Sequence, residues 1–548
     1  MSQFFMNQKQ DLVNEAIEGV LQSAASHNLA RLALGPQMRV VVRSDWDKSR
    51  VALISGGGSG HEPAHIGFVG KGMLTAAVCG DVFASPSVDA VLHAIINVTG
   101  EAGCLLIVKN YTGDRLNFGL AAEKAKQLGY RVEMVMVRDD IALPDNPQPR
   151  GIAGTALVHK VAGFAAEQGQ GLEAVSALAQ RAIDATASIG LAFTTCHVPG
   201  EDRDDHRVKP GCSELGMGIH GEPGASTLKT QNSAEIVAEL TQRLASKSGS
   251  GKLALLVNNL GGFSALEMAI LTRETLKSAL GKQVKLLIGP ATLVSALDMK
   301  GFSLSTLQLD DELEAALLAP VETSGWVRAF EPRPAKEREA KRVAQQQSFT
   351  PSDNAAVAAT LHTLCQTLIE LESELNQLDA KVGDGDTGST FSAGARSVLE
   401  ASQNGELPLD QMDALLTVVG EKLANVMGGS SGVLMSIMFT AAGQQLKQGK
   451  SLAGALTFGL ERMQHYGGAG VGDRTMIDAL DPAFAALAAG KNLAAVAAAA
   501  KQGADSTRQM LSAAAGRSSY LNQESLKDVK DPGAFAVESV FAALAAHK

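Results

Sequence analysis

Two histidines stand in glycine-rich loops, and a Glu-Pro pair follows each of them closely. His61 lies in SGGGSGHEPAHIGF, residues 55–68, and His220 lies in GMGIHGEPGAS, residues 216–226. Such loops offer little core for a ring to pack into, so a chemical role competes with simple capping of a turn. His65 is interpreted as a packing or supporting residue. His159 lies on a helical pattern and receives no chemical role.

A second polar loop follows the apolar run CLLIVKN, residues 104–110, and contains Lys109 and Asp114 in the phrase KNYTGD. In open α/β sheets a ligand binds beyond the carboxyl ends of the strands, and the loop at 56–61 leaves another strand at such an end. These loops are therefore the expected positions for a small polar substrate. The alternative for Lys109 and Asp114 is a surface ion pair, which adds little stability.

An acidic loop, LDAKVGDGDTGST, brings Asp379, Asp384 and Asp386 close together. Three carboxylates on one short loop repel each other unless a cation neutralises them, and hard oxygen ligands suit Mg²⁺ or Ca²⁺. An EF-hand competes, but its glutamate and its ligands at every second residue are missing. A solvated turn between helices is the other alternative, because Asp and Gly favour turns.

Further glycine loops in the same half precede helical patterns. Helix starts follow TGST, residues 387–390, and MGGSSG, residues 427–432, so backbone N–H groups are available for phosphate oxygens. The phrases GDRTMIDALDP, GRSSYL and DPGA add small turns, with Arg517 as a candidate phosphate partner. A helical bundle that holds a nucleotide and magnesium at several helix ends fits this pattern.

Two glycine loops of the first half do not fit the nucleotide motifs that they suggest. In KSGSGKLALLV, residues 247–257, the first glycine of a Walker loop is misplaced, and Leu253 stands where Ser or Thr should ligate Mg²⁺. SGGGSG follows a strand but lacks the acidic partner of a dinucleotide fingerprint. Neither a Walker loop nor NAD binding is expected.

The elements that must position these residues differ between the two halves of the 548-residue chain. Residues 1–330 alternate short apolar runs with helical patterns, which predicts α/β architecture in two lobes, about 1–190 and 191–330. Residues 331–352 are rich in charge, glutamine and proline and are interpreted as a linker. Residues 353–548 show about eight helical patterns without strands, which predicts an all-α second domain.

Composition excludes several classes of protein. Hydrophobic residues make up 45% of the chain and charged residues 19%, as in soluble globular proteins, and the net charge of −10 argues against a nucleic-acid partner. The five cysteines are scattered and form no CxxC pair, which favours reduced thiols in the cytoplasm. The N-terminus does not resemble a secretory signal, and no apolar stretch is long enough for a membrane span.

Taken in order, SGGGSGHEP, IVKNYTGD, GIHGEPG, GDGDTG, GGSSG, GDRTM, GRSSYL and DPGA resemble the motifs of the single-chain, ATP-dependent dihydroxyacetone kinases of bacteria. The resemblance covers nearly the whole chain. It implies a substrate-binding K domain at 1–330 and a nucleotide-binding L domain at 353–548, the latter an eight-helix barrel that holds ATP and Mg²⁺. It also implies a cytoplasmic homodimer, with domains crossing between chains, that phosphorylates dihydroxyacetone and glyceraldehyde.

The resemblance assigns roles residue by residue. His220 is implied to hold the substrate carbonyl as a hemiaminal, with His61 assisting proton transfer and Asp114 as general base. Gly58, Ser59, Gly60, His61, Lys109 and Asp114 are implied to bind the substrate, and Asp379, Asp384 and Asp386 to bind magnesium. The residues implied to surround the nucleotide are Thr387, Gly388, Ser389, Thr390, Ser430, Ser431, Gly467, Met476, Arg517, Asp531, Pro532 and Gly533.

Three other functions remain open at this point. A phosphocarrier-dependent kinase is disfavoured by the fusion of both domains and by Thr387, where such relatives tend to have histidine. FAD splitting to cyclic FMN, known in animal relatives, is an alternative activity. A ligand-sensing module is disfavoured because the chain keeps both the acidic triad and His220.

Overall fold

The chain divides into two compact units, Met1–Glu337 and Arg338–Lys548. The computed structural model describes residues 4–200, 208–229, 232–341, 349–513, 519 and 523–546. The division falls inside the segment interpreted as a linker.

The N-terminal unit contains two six-stranded sheets. The first sheet is formed by β1 (Leu29–Arg31), β2 (Arg39–Arg43), β3 (Ala52–Ser59), β4 (Ala76–Val82), β5 (Cys104–Lys109) and β6 (Val132–Val137). The second is formed by β7 (Thr186–Ala192), β8 (Cys212–Leu215), β9 (Ser226–Lys229), β10 (Leu253–Asn259), β11 (Val284–Ala291) and β12 (Gly301–Gln308). The lobe boundary expected near residue 190 lies within β7.

Eight α-helices of this unit cover and separate the sheets in the described ranges. They are α1 (Leu12–Ser23), α2 (Val88–Val98), α3 (Thr112–Gln127), α4 (Thr155–Glu167), α5 (Leu172–Asp184), α6 (Ser233–Ser248), α7 (Ala265–Lys277) and α8 (Asp311–Leu318). One core cluster joins residues of both sheets to α4 and α5, and α4 is buried on almost all sides. A helix enclosed in this way loses the amphipathic pattern of a surface helix.

The order of the first sheet, β1-β2-β4-β3-β5-β6, creates a ligand-binding crevice. Strand β3 pairs in parallel with β4 on one side and with β5 on the other, and β5 pairs in parallel with β6. The chain therefore leaves β3 toward β4 but leaves β5 toward β6. Ligands of open α/β sheets bind where neighbouring strands lead in opposite directions.

The C-terminal unit is all-helical, as the sequence predicts. It contains α9 (Ala355–Glu370), α10 (Glu372–Val382), α11 (Thr387–Gln403), α12 (Met412–Val426), α13 (Gly429–Lys447), α14 (Leu452–Gly467), α15 (Ile477–Ala488), α16 (Leu493–Ser506), α17 (Gln523–Leu526) and α18 (Pro532–Ala546). Apolar residues at helical spacing predict one helix over residues 353–377, and the structure divides it at Leu371 into α9 and α10.

Eight of these helices close into a ring. Neighbours in contact run from α9 to α11, then through α12, α13, α14, α15 and α16 to α18, which contacts α9 again. This ring confirms the predicted eight-helix barrel. Short loops between packed helices make neighbours antiparallel, so alternate loops lie at the same end. One end therefore gathers the segments 383–386, 427–428, 468–476, 507–513 and 523–531.

Candidate functional site

His61 and His220 meet in the N-terminal unit although they belong to loops of different sheets. The centroids of their rings lie 4.8 Å apart in an edge-to-face arrangement. Tyr111 and Phe83 also present their rings at right angles to His220, at centroid distances of 4.7 and 5.5 Å. The two histidines that the sequence singled out therefore share one aromatic-walled site.

The loop that carries His61 leaves β3 at the crevice of the first sheet. A loop of the second sheet forms hydrogen bonds with it. The backbone N–H of Ser295 donates to the carbonyl of His61 at 3.1 Å, and that of Leu297 donates to Gly60 at 3.0 Å. The Nδ1 of His61 lies 2.8 Å from the carbonyl oxygen of Ser295. Because a carbonyl only accepts, Nδ1 carries the proton. The Nε2 lone pair of His61 has no partner within the described ranges.

His220 is held by Glu222, two residues along its own loop. Its Nδ1 lies 2.9 Å from Oε1 of Glu222, and its backbone N–H donates to the other carboxylate oxygen at 3.1 Å. A carboxylate accepts the Nδ1–H, so the neutral ring presents a lone pair at Nε2. Although burial raises it, the pKa of Glu222 is lowered to about 2, chiefly by this hydrogen bond from the His220 ring.

The His220 loop is anchored to the first lobe through Arg150. The guanidinium of Arg150 donates to the carbonyl of Gly216 at 2.7 Å and forms a buried ion pair with Asp140 at 2.6 Å. This contact holds the second-sheet loop beside the first-sheet crevice. The sequence did not single out Arg150 or Phe83. Tyr111 stands inside KNYTGD and Glu222 inside GIHGEPG, but neither received a role of its own.

Lys109 and Asp114 lie at the same crevice and are both buried, with exposed fractions of 1% and 4%. Lys109 ends β5, and Asp114 lies in the first turn of α3. Lys109 Nζ and Asp114 Oδ1 have no hydrogen-bond partner among the described residues. Burial lowers the pKa of Lys109, and nearby carboxylates, first among them Asp114, oppose that shift. Such burial excludes a surface ion pair and leaves a donor and an acceptor for a ligand.

Three further predicted substrate residues line the end of β3. A side chain at Gly58 would approach the backbone of Phe83 and Ala84 to 2.7 Å, so only glycine fits there. The hydroxyl of Ser59 donates to the carbonyl of Gly80 at 2.9 Å, which turns its side chain toward β4. The N–H of Gly60 donates to Glu62 at 2.8 Å.

The predicted magnesium residues come together at the end of the helical ring that contains the loop 383–386. Asp379, Asp384 and Asp386 each offer a carboxylate oxygen, and these atoms lie within 4.8 Å of one another. The buried Asp379 accepts hydrogen bonds from the backbone N–H groups of Gly385, Asp386 and Thr387 at 3.0–3.1 Å, which fixes the loop. An all-oxygen set of clustered carboxylates fits Mg²⁺.

Most of the predicted nucleotide residues lie at this same end. Thr387–Thr390 begin α11, Ser430 and Ser431 lie in the first turn of α13, Gly467 ends α14, and Met476 precedes α15. A side chain at Gly533 would lie 3.2 Å from both Met476 Cβ and Asp531 Oδ1, which brings the start of α18 beside α15. Pro532 is the first residue of α18. Arg517 lies outside the described residues.

A different arginine is buried at this end and was missed from the sequence. Arg474 is 1% exposed and donates from Nη2 to the carbonyl of Val529 at 2.8 Å, while its Nε and Nη1 have no partner in the described part of the helical unit. Burial raises the pKa of the neighbouring Asp531 to about 6, and Arg474 opposes that shift. The motif GDRTM contains Arg474 but does not indicate that its side chain is buried.

Comparison with known proteins agrees with the two-unit division. The Dak1 domain family matches residues 22–325, and the DAK2 domain family matches residues 381–546. The dihydroxyacetone kinase of Citrobacter freundii is 57% identical over 547 residues, which cover 100% of this chain and 99% of the relative. Human triokinase/FMN cyclase is 40% identical over 541 residues, covering 92% and 93% of the two chains.

A solved structure shows the same likeness. The Citrobacter freundii kinase in complex with AMP-PNP and Mg²⁺ aligns with a TM-score of 0.72 at 55% identity, with each chain covered to 100%. These matches confirm the resemblance that the ordered motifs indicated.

Proposed function

The chain belongs to the dihydroxyacetone kinase family, with a Dak1 and a DAK2 domain in one polypeptide, and on this premise we propose that it transfers the γ-phosphoryl group of ATP to dihydroxyacetone while His220 holds the ketone covalently. The observation that carries the covalent step is the hydrogen bond from His220 Nδ1 to Glu222, which leaves Nε2 as a nucleophile.

The bond-forming step follows from that tautomer. The Nε2 lone pair adds to the carbonyl carbon, a C–N bond forms, and the π electrons of the C=O bond move to oxygen, which takes up a proton from solvent. The ring becomes an N-alkylated imidazolium whose Nδ1–H still faces the Glu222 carboxylate. Glu222 therefore stabilises the positive charge that develops on the ring.

Covalent capture explains how a very small substrate is selected. Dihydroxyacetone and glycerol differ by one carbonyl, and hydrogen bonds alone discriminate poorly between them. A nucleophile adds reversibly to a carbonyl and cannot add to an alcohol, so selection depends on reactivity as well as on shape. We extend the proposal to glyceraldehyde, whose aldehyde carbonyl accepts the same nucleophile.

The proton of the reacting hydroxyl has two candidate acceptors in the site. His61 Nε2 and Asp114 Oδ1 are both buried acceptors without a partner among the residues that the structure describes. Burial, together with the nearby charge of Lys109, holds the pKa of His61 well below its usual value, so the ring stays neutral and able to accept. We assign Asp114 as general base and His61 as the group that assists the proton transfer.

We propose that the helical unit binds ATP at the end of the ring that contains the three aspartates. Asp379, Asp384 and Asp386 would hold Mg²⁺, which when bound neutralises charge on the phosphates. The N-termini of α11 and α13 offer backbone N–H groups to phosphate oxygens. This assignment is supported by the Citrobacter freundii relative, whose structure contains AMP-PNP and Mg²⁺.

We further propose a cytoplasmic homodimer in which the nucleotide of one chain serves the triose of the other, as the family resemblance implies. No helix in the described ranges is long and apolar enough to cross a membrane.

Burial raises the pKa of the Cys79 and Cys104 thiols to about 12, so these thiols stay protonated and unreactive.

The test is a phosphorylation assay with dihydroxyacetone, glycerol and no acceptor in parallel, with ATP and Mg²⁺ and no other protein. ATP consumption only with dihydroxyacetone supports the proposal, whereas a requirement for a phosphocarrier protein contradicts it. An added arm with FAD and Mn²⁺ tests FMN cyclisation, an activity that the name of the human relative suggests.

A further inference from the structure

A buried chain of polar side chains runs from the centre of α4 to the triose site. His159 Nε2 lies 3.1 Å from the hydroxyl oxygen of Ser55, and His65 Nδ1 lies 3.3 Å from the same oxygen. The exposed fractions are 0% for Ser55, 0% for His159 and 5% for His65. None of these residues has a role in the proposed mechanism.

The hydroxyl of Ser55 determines which nitrogen of each ring carries the proton. Ser55 Oγ also lies 2.6 Å from the carbonyl oxygen of Ile107, which can only accept, so the single hydroxyl proton is donated there. Both histidines must then donate to Ser55, His159 from Nε2 and His65 from Nδ1. Burial, together with the charge of Lys109, holds the pKa of His65 well below its usual value, so the ring is neutral.

The neutral His65 ring therefore has a lone pair at Nε2, and that atom faces the triose site. The position that a side chain of Gly57 would occupy lies 3.7 Å from His65 Nε2, 3.5 Å from Asp114 Oδ2 and 3.7 Å from Lys109 Cε. The absence of a side chain at Gly57 lets these groups converge. His65 Nε2 is buried and has no hydrogen-bond partner in the part of the chain that the structure describes.

Three such acceptors surround the site: His61 Nε2, His65 Nε2 and Asp114 Oδ1. A triose bound as a hemiaminal has three hydroxyl groups, two from the triose and one from its former carbonyl. A buried acceptor without a donor is costly, so each acceptor calls for a partner. Lys109 Nζ, a buried donor without a partner, complements them by donating to hydroxyl oxygens.

We propose that His65 is a further triose-binding residue, whose Nε2 accepts a hydrogen bond from a hydroxyl of the bound substrate, and that Ser55 and His159 fix the tautomer that makes this possible. The inference rests on the proposed triose site. It assigns His65 to hydroxyl recognition, whereas the covalent bond belongs to His220 and proton transfer to His61 and Asp114.

Two substitutions of His65 test the roles of its two ring nitrogens separately. The Asn side chain in His65→Asn reaches the position of Nδ1 and can still donate to Ser55, but it offers nothing at Nε2. The Gln side chain in His65→Gln reaches the position of Nε2 and can accept there, but it loses the donor to Ser55. A purely structural role would make both variants similar in triose binding.

The measurement is the affinity of the full-length protein for dihydroxyacetone and for hydroxyacetone, which lacks one hydroxyl, by titration calorimetry. We expect His65→Asn to weaken dihydroxyacetone binding roughly 10- to 100-fold, and His65→Gln to weaken it less than about 5-fold. The loss in His65→Asn should be smaller for hydroxyacetone. The KM for ATP should be unchanged in both variants.

Equal affinities for dihydroxyacetone in the wild type and His65→Asn would overturn the inference while leaving the proposed function intact. Failure of the wild type to bind the triose at all would contradict the proposed function itself. If His65→Asn does not fold, Ser55→Ala provides the second test. Without the Ser55 hydroxyl, the proton of His65 is no longer held on Nδ1, so Nε2 is not always free to accept. A roughly 3- to 10-fold weaker affinity for dihydroxyacetone is expected there, and an unchanged affinity would overturn the tautomer argument.

Discussion

The Nδ1–H of His220 donates to Oε1 of Glu222 across 2.9 Å, and this contact leaves the Nε2 lone pair of the ring available for a bond to carbon. His61 is held in the same tautomer by a backbone carbonyl, that of Ser295. The two acceptors differ in charge, because the partner of His220 is a carboxylate and the partner of His61 is a neutral carbonyl. A negative partner stabilises a ring that becomes cationic. An alkylated His220 would be stabilised by the Glu222 carboxylate, whereas burial, followed by the charge of Lys109, holds the pKa of His61 low and keeps its ring neutral.

The first prediction concerns this difference in charge. Glu222→Gln removes the negative charge beside Nδ1 and should weaken dihydroxyacetone binding roughly 10- to 100-fold, because a charge-assisted hydrogen bond to the adduct is lost. Calorimetric titration with the triose measures the change. Glu173→Gln, which removes an exposed ion pair with Arg131, is the matched control and should leave triose affinity as in the wild type. Retention of full affinity in Glu222→Gln would remove Glu222 from the mechanism.

The second prediction concerns the acidic cluster. Asp384→Asn should lower the affinity for the Mg²⁺ complex of AMP-PNP by at least about 10-fold, because one oxygen ligand loses its charge. Formation of the triose adduct should persist, since the residues that make it lie in the N-terminal unit. Asp413→Asn, in the first turn of α12 and so at the opposite end of the ring, serves as control. Simultaneous loss of adduct and nucleotide binding would contradict the division of labour between the units.

The third prediction concerns pH. Burial, followed by the charge of Lys109, lowers the pKa of His159 to about 3, whereas the unfolded side chain titrates near 6.5. Between these values the unfolded chain binds one more proton than the folded chain. His159 therefore lowers the free energy of unfolding by about 1.4 kcal/mol for each unit that the pH falls below 6.5.

His159→Gln removes this titration while retaining a donor to Ser55, so the dependence of unfolding on pH should become shallower by that amount between pH 6.5 and 5. Urea unfolding followed by tryptophan fluorescence measures it, because Trp46 and Trp326 both belong to the N-terminal unit. Identical pH dependence in the variant and the wild type would show that His159 is not held neutral.

The fourth prediction concerns the proposed crossed homodimer. His220→Ala and Asp384→Asn chains, each inactive alone, are co-expressed with different affinity tags. If the nucleotide of one chain serves the triose of the other, a mixed dimer contains one site with both intact halves. Random pairing should then restore about a quarter of the wild-type activity. Each variant co-expressed with itself is the control, and a mixed dimer without activity would exclude the crossed arrangement.

Much of the fold and of the site was predictable from the sequence. Glycine-rich loops after apolar runs placed His61 and Lys109 at strand ends, and these ends lie at the crevice of the first sheet. Helical periodicity predicted an all-α second domain of about eight helices, and the family resemblance implied that they form a barrel. The spacing of Asp379, Asp384 and Asp386 within one loop predicted the acidic cluster. In each case the decisive contacts are local, or follow from the rule for ligand sites in α/β sheets.

The parts that were missed depend on contacts between distant segments. The hydrogen bond between His159 and Ser55 joins residues 104 positions apart, and the anchoring of Gly216 by Arg150 joins residues 66 positions apart. His159 was interpreted as a helix residue without chemistry because a helix buried on all sides has no polar face to set it apart. Glu222 stood inside a quoted motif, but only the three-dimensional position of its carboxylate relates it to Nδ1 of His220.

The most direct test of the covalent mechanism is a ¹³C NMR spectrum of [2-¹³C]dihydroxyacetone bound to the wild type and to His220→Ala. The account predicts that the bound carbonyl resonance of the wild type moves to the range of a saturated carbon bonded to nitrogen and oxygen, and that this signal is absent in His220→Ala. A bound ketone resonance in the wild type, with no saturated-carbon signal, would contradict it.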